Sequence, residues 1–274
     1  MKIARLALGV IAATLIFGPG GAHAQDEMRL SLGYDGRLLV KVLDIEVQER
    51  VSASGFSAEA QLTSAGVLAL VKHIHQWAQS QGRIVGGEPR PGVFETRNLG
   101  GKTRRQVRTV WSGGEVGMTA QPAFANLGDP PASLQQKLAA ADPLTDLVRM
   151  TVGGSREKTC GRSYLFFDGK QLYALDFSAA TDGTLSDREA RLGLARPFRC
   201  DVRFREVAGF GRKPRDKANQ GLQRPIRLDF AQIGADGPLV ISALHADTPL
   251  GGAVIELSRL SVNGRTVDRV EAPR

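Results

Sequence analysis

The sequence predicts a mainly β (α+β) protein: one antiparallel sheet accompanied by one longer helix and one or two short ones. Three observations carry that expectation. Phe56, Ala58, Ala60 and Leu62 alternate with Ser57, Glu59, Gln61 and Thr63, the period-2 pattern of a half-buried strand. Asp168-Gly169 and Asn263-Gly264 each lie between apolar runs, and both dipeptides suit the two-residue type I′ turn of a hairpin. Strands and helices do not alternate in the βαβ rhythm that a parallel sheet requires.

Taken in order, the first element is a targeting segment. Lys2 and Arg5 precede an apolar run from Leu6 to Phe17, Gly18-Pro19-Gly20 breaks it, and Ala22-His23-Ala24 offers small residues at the spacing a signal peptidase reads. Residues 1–24 are therefore expected to be a cleaved secretory signal. Residues 25–274 would then form a single β-rich exported domain with no transmembrane segment, in the periplasm.

The mature chain opens on alternating apolar residues from Leu38 through Ile45 and Val47, followed by the Phe56–Leu62 strand. A helix is expected next, from Ser64 to Ser80. Thr63 or Ser64 suits its N-cap, Val67, Leu70, Val71, Ile74 and Trp77 recur at helical spacing, and Gly82 ends it. Val107, Thr109 and Trp111 then share one strand face with Thr103, while Arg104, Gln106 and Arg108 point away. The stretch 119–141 reads as a loop with a short helix. Asp142-Pro143 opens another, because Asp caps well and Pro is favoured in the first turn; Leu144, Leu147 and Val148 give it an apolar face. Beyond the Tyr164–Tyr173 hairpin, Phe198, Cys200, Val202 and Phe204 alternate with Arg199, Asp201, Arg203 and Arg205. Strands at 225–233 and 239–246 and the Asn263-Gly264 hairpin complete about ten strands.

Composition narrows the function classes. The 274 residues are 42% hydrophobic and 23% charged, which excludes a disordered or fibrous chain. Two cysteines in an exported chain point to one disulfide, Cys160–Cys200, and neither belongs to a redox Cys-x-x-Cys motif. The formal charge of +8 is gathered in clusters such as Lys102, Arg104, Arg105 and Arg108, then Arg203 and Arg205, then Arg212, Lys213, Arg215 and Lys217. An exported basic surface suits anionic headgroups or an acidic protein partner, and the compartment argues against nucleic acid.

Signals for catalysis are missing, so the chain is expected not to be an enzyme and to hold no cofactor or metal. His73 and His75 would stand about 200° apart on a helix and cannot share a ligand face. There is no Gly-x-Ser-x-Gly elbow, and the Gly-Gly pairs lack the lysine of a phosphate loop.

The order of several motifs resembles an exported bacterial family, domain of unknown function 3108. These are Leu62-Thr-Ser-Ala-Gly66 ending a strand, Val110-Trp111, Asp142-Pro143-Leu144 before a helix, Cys160 ahead of Phe167-Asp168-Gly169-Lys170, and Cys200 ahead of Val207-Ala-Gly209-Phe210. The resemblance spans roughly residues 30 to 260. It implies a strongly curved sheet or half-barrel wrapping the longer helix, similar to periplasmic lipoprotein carriers. The function that follows is non-enzymatic binding or carriage of an apolar or amphipathic, lipid-like ligand. The alternative is a structural or interaction protein of envelope assembly that uses its basic patches. Phe56, Leu62, Trp111 and Phe204, each the large apolar member of an alternating strand, are the ligand-binding candidates. Arg104, Arg108, Arg203 and Arg205 are the surface candidates.

Overall fold

Strands dominate residues 27–100, 104–211, 224–248 and 251–267, which the computed structural model describes. The expected signal, residues 1–24, lies outside them, as do Lys102, Thr103, Arg212, Lys213, Arg215 and Lys217. A first antiparallel meander contains β1 (Met28–Arg37), β2 (Lys41–Val51), β3 (Gly55–Ser64), β4 (His75–Val85), β5 (Glu88–Asn98), β6 (Gln106–Ser112) and β7 (Glu115–Gln121); α1 (Gly66–Val71) interrupts it between β3 and β4. Three helices follow, α2 (Leu134–Ala139), α3 (Pro143–Gly153) and α4 (Arg156–Thr159). The second part holds β8 (Ser163–Phe167), β9 (Leu172–Phe177), β10 (Thr181–Asp182), α5 (Asp187–Arg191), β11 (Leu194–Ala208), β12 (Ile226–Ile233), β13 (Leu239–Thr248), β14 (Gly251–Val262) and β15 (Arg265–Thr266).

Pairing of β1 with β14 joins the two parts into one sheet, ordered β7-β6-β5-β4-β3-β2-β1-β14-β13-β12-β11-β9-β8. The ladder does not close into a barrel, because β7 and β8 are not paired. Side chains bridge that seam instead. Val116 of β7, Phe167 of β8 and Leu172 of β9 share one buried cluster, and the Trp111 and Phe167 rings meet edge-on at 6.4 Å. The free edge of β8 is also covered: Ala141 N–H donates to the Leu165 carbonyl and Phe167 N–H to the Ala141 carbonyl. An edge satisfied in this way is no longer open to a foreign strand.

The curved sheet encloses α3. Asp142 caps it as expected, its Oδ1 accepting from Leu144 N at 3.0 Å and Thr145 N at 2.9 Å, with Pro143 in the first turn. Leu144 and Val148 pack on Val51, Phe56, Ala58 and Phe94 of the first meander. Met150, further along, meets Phe198, Phe230 and Leu239 of the second part. Cores on both flanks of one helix explain why a single sheet bends round it, each buried aliphatic side chain contributing roughly 1.5–3 kcal/mol.

The longer helix expected from Ser64 to Ser80 is not formed. Only the six residues of α1 are helical, and their apolar face has no cover: Val67 is 60%, Leu70 86% and Val71 82% exposed. Residues 75–85 form β4, hydrogen-bonded to β3 on one side and β5 on the other. The reason is tertiary. On the inner face of β4 stands Ser80, a small residue that makes room for α3, its Oγ donating to Asp142 Oδ2 at 3.0 Å and lying 3.1 Å from Thr145 Oγ1. A strand whose inner face must be small loses its apolar alternation, and the helical spacing of Ile74 and Trp77 is left as the louder signal.

Both expected hairpins form. Asn263 and Gly264 take φ of 52° and 77° between the paired Val262 and Arg265, as a type I′ turn requires. In the other, the turn is shifted by one residue. Asp168 pairs with Gln171 through its N–H, and Gly169, at φ 98°, is the first central residue. Asp168 Oδ1 accepts from Lys170 N and Gln171 N and so closes the turn from the side. The disulfide links Cys160, just after α4, to Cys200 on β11, with a Cα separation of 6.0 Å, and leaves no free cysteine.

Candidate functional site

A cleft of about 530 Å³ opens at the end of the sheet where β2, β4 and β6 begin and β3 and β5 finish. Its walls are cross-strand rows. Ala60 lies opposite Ala78, Ala78 opposite Thr96, and Thr96 opposite Val107. The next row toward the opening runs Ile45, Leu62, Gln76 and Asn98. Because directly opposed residues share a face, the register itself produces an apolar wall that turns polar toward β5.

Phe124, on the chain after β7, stands at the mouth between two cations. The Arg105 guanidinium lies 4.4 Å and the Lys170 ammonium 5.3 Å from its ring centre. Arg105 is held by the Pro122 carbonyl at 2.9 Å, and Lys170 by the hairpin turn that Asp168 closes. Arg97 stacks 4.7 Å over Trp77 on the opposite face of the sheet from the Ala78–Thr96 row, its guanidinium paired with Glu95 at 2.7 Å. The carboxylate at the mouth, Asp168, accepts two backbone N–H groups, and burial pushes its carboxyl above the ordinary range. The mouth is therefore cationic around an apolar wall.

Deeper in the sheet lies a buried acid. Glu49 follows the inward phase of Ile45 and Val47 and sits opposite Leu30 and Ala58. Its Oε1 accepts from Thr151 Oγ1 of α3 at 3.3 Å, and its Oε2 has no partner among the described residues. Burial raises its pKa to about 7, and its charge helps to hold the buried Tyr34 hydroxyl protonated. A carboxyl whose pKa is higher folded than unfolded stabilises the fold below its unfolded value of 4.5, and that contribution is lost as pH rises through 7. Glu49→Gln is therefore expected to be more stable than the parent at pH 8 by about 3 kcal/mol, with the gap closing by pH 5. Urea midpoints of both chains from pH 5 to 8 measure it, and parallel curves would show that Glu49 does not titrate in this range.

Of the four apolar candidates, Leu62 lines the cleft and the other three do not. Phe56 is core, packed with Leu144 and Val148 of α3. Trp111 lies at the seam, its Nε1 donating to the Lys137 carbonyl at 3.2 Å. Phe204 packs on Tyr173 at 5.2 Å and Phe210 at 6.1 Å. Alternation identified apolar faces correctly, but packing consumed them: against α3 for Phe56, across the seam for Trp111 and on neighbouring rings for Phe204. The basic candidates Arg104, Arg108, Arg203 and Arg205 are exposed as expected. Arg108 faces Glu95 at 3.6 Å and Arg205 faces Asp176 at 3.0 Å. Sequence reasoning missed Phe124 and Lys170; Arg105 was visible only as part of a charge cluster. No group of three metal-ligating side chains occurs among the described residues.

No family model matches this sequence, and no curated protein does. Among solved structures, the chain is similar to the β-barrel-like protein of domain of unknown function DUF1849 from Brucella abortus, with a TM-score of 0.51 and 10% identity. The match covers 86% of this chain and 97% of the other. At that identity the likeness concerns the fold: a mainly β, barrel-like sheet.

Proposed function

We propose that this chain is an exported, non-enzymatic binding or carrier protein of the periplasm whose cleft takes an amphipathic ligand with an anionic head. The observation that carries the proposal is the apolar wall of Ile45, Ala60, Leu62, Ala78 and Val107 beneath a mouth bearing Arg105 and Lys170. An acyl chain would lie on the wall, and its carboxylate or phosphate would meet the cations. The volume falls within the usual range for small-molecule sites. The disulfide fits an exported protein, and the resemblance of the motif order to domain of unknown function 3108 is in keeping with the same reading. The alternative, an envelope scaffold acting through outer basic patches, draws less support because Arg108 and Arg205 already face carboxylates.

A fluorescent fatty acid titrated into the purified protein tests this. Leu62→Asp is expected to weaken binding at least tenfold. Charge reversal at Arg105 and Lys170 should weaken the fatty acid but leave the matching fatty alcohol unaffected, and the effect should shrink with salt. Absence of probe binding, or equal binding by Leu62→Asp, would remove the cleft from consideration.

A further inference from the structure

The two ends of the sheet are built from different residues. At the end away from the cleft, the turns are Ser52-Ala53-Ser54, Gly86-Gly87, Gly113-Gly114 and Asn263-Gly264, the small and polar residues that turns ordinarily use. At the cleft end, the β1–β2 turn is Leu38-Leu39-Val40, and α1 adds Val67, Leu70 and Val71. Leu39 is 99% exposed and Val40 53%. The two tips adjoin: Ala65 N–H donates to the Val42 carbonyl, and a Cβ on Gly66 would lie 2.5 Å from the Lys41 carbonyl oxygen. The segment bearing α1 is pinned at its base, where Ser64 N–H donates to the Ile74 carbonyl and Ile74 N–H to Ser64 Oγ. Five aliphatic side chains thus project together from a braced support beside the cleft.

We propose that this end docks on an anionic lipid bilayer, with Leu39, Val40, Val67, Leu70 and Val71 entering the boundary between headgroups and acyl chains. Charge complementarity selects the occupant. Exposed Lys72 follows Val71 directly, so the α1 tip ends in a cation. At the β1–β2 tip Arg37 and Lys41 together balance Asp35 and Asp44, Lys41 at 2.9 and 2.5 Å, so the acids there do not repel an anionic surface. Exposed Arg104 extends the positive rim, while Arg97 is paired with Glu95 at 2.7 Å. Apolar side chains flanked by lysine and arginine are what an interfacial anchor requires. A second copy or a protein partner fits less well, since a stable interface uses about 800 Å² of complementary surface on each side and these residues stand on two narrow tips. The proposal goes beyond the cleft reading, because none of the five side chains lines the cleft.

Co-sedimentation of the exported, purified chain with phosphatidylcholine vesicles, with and without one-quarter phosphatidylglycerol, tests it. Binding is expected with the anionic vesicles and should weaken as salt rises. A chain carrying Leu39→Ser, Leu70→Ser and Val71→Ser should lose at least tenfold in lipid affinity while its thermal melt and fatty-acid binding stay unchanged. Tryptophan in a Leu70→Trp chain should shift to the blue on vesicle addition. Vesicle binding unaffected by the triple substitution, or none at millimolar lipid, would overturn the proposal. Concentration-dependent dimerisation abolished by the triple substitution would overturn it in favour of a second copy. Loss of the cleft reading alone would leave the vesicle results standing.

Discussion

Val148→Asp is expected to cost on the order of 5 kcal/mol and to leave little folded protein. Val148 is fully buried at the middle of α3, between Leu144 and the Phe56, Ala58 and Phe94 side chains. Aspartate there would bury an unpaired charge and forfeit the packing of the helix against the first meander. Domains of ordinary stability have only about 5–15 kcal/mol to lose. The matched control is Leu70→Asp on α1, which should shift stability by no more than about 0.5 kcal/mol because Leu70 faces solvent. Thermal melts of the two variants beside the parent settle which helix is core. A Val148→Asp chain that melts with the parent would show that α3 does not hold the two parts together.

Breaking the disulfide should have the next largest effect. It closes a loop of 40 residues, for which chain entropy gives about 4 kcal/mol. Cys160 and Cys200 are both buried with Phe198, Phe230 and Val202, so the folded contacts survive reduction and the loss arises mainly in the unfolded chain. A Cys160→Ala, Cys200→Ala chain is expected to melt about 10 °C lower than the oxidised parent. Complete thiol labelling after reduction, combined with an unchanged melt, would contradict this.

The residues that mislead are instructive. Val67, Leu70, Val71, Ile74 and Trp77 have the spacing of a buried helix, yet the first three face solvent and the last lies on a strand. The helix that is buried, α3, is shorter and was visible through its Asp142-Pro143 start. Periodicity reports that one face is apolar without reporting what lies against it. β4 and β5 escaped notice for the converse reason: Ala78, Ser80 and Thr96 point inward where the inner face must be small or polar, so no strong alternation marks them.

Local chemistry by itself determined the antiparallel β character, the Phe56–Leu62 alternation, the two hairpins, the capped start of α3 and the pairing of the two cysteines. Each depends on neighbours a few residues away, or on there being one partner available. Tertiary structure alone decided that 75–85 is a strand, that β1 joins β14, that side chains seal the seam, and that Phe56 is core and Trp111 closes the seam while Leu62 lines a cleft. The cleft brings Ile45, Leu62, Phe124 and Lys170 together from β2, β3, the chain after β7 and the β8–β9 turn. Nothing within any one segment encodes that meeting. It follows from strand register and from the space α3 occupies, which strands of both parts of the sheet, β3, β4, β5, β8 and β13, must fit at once.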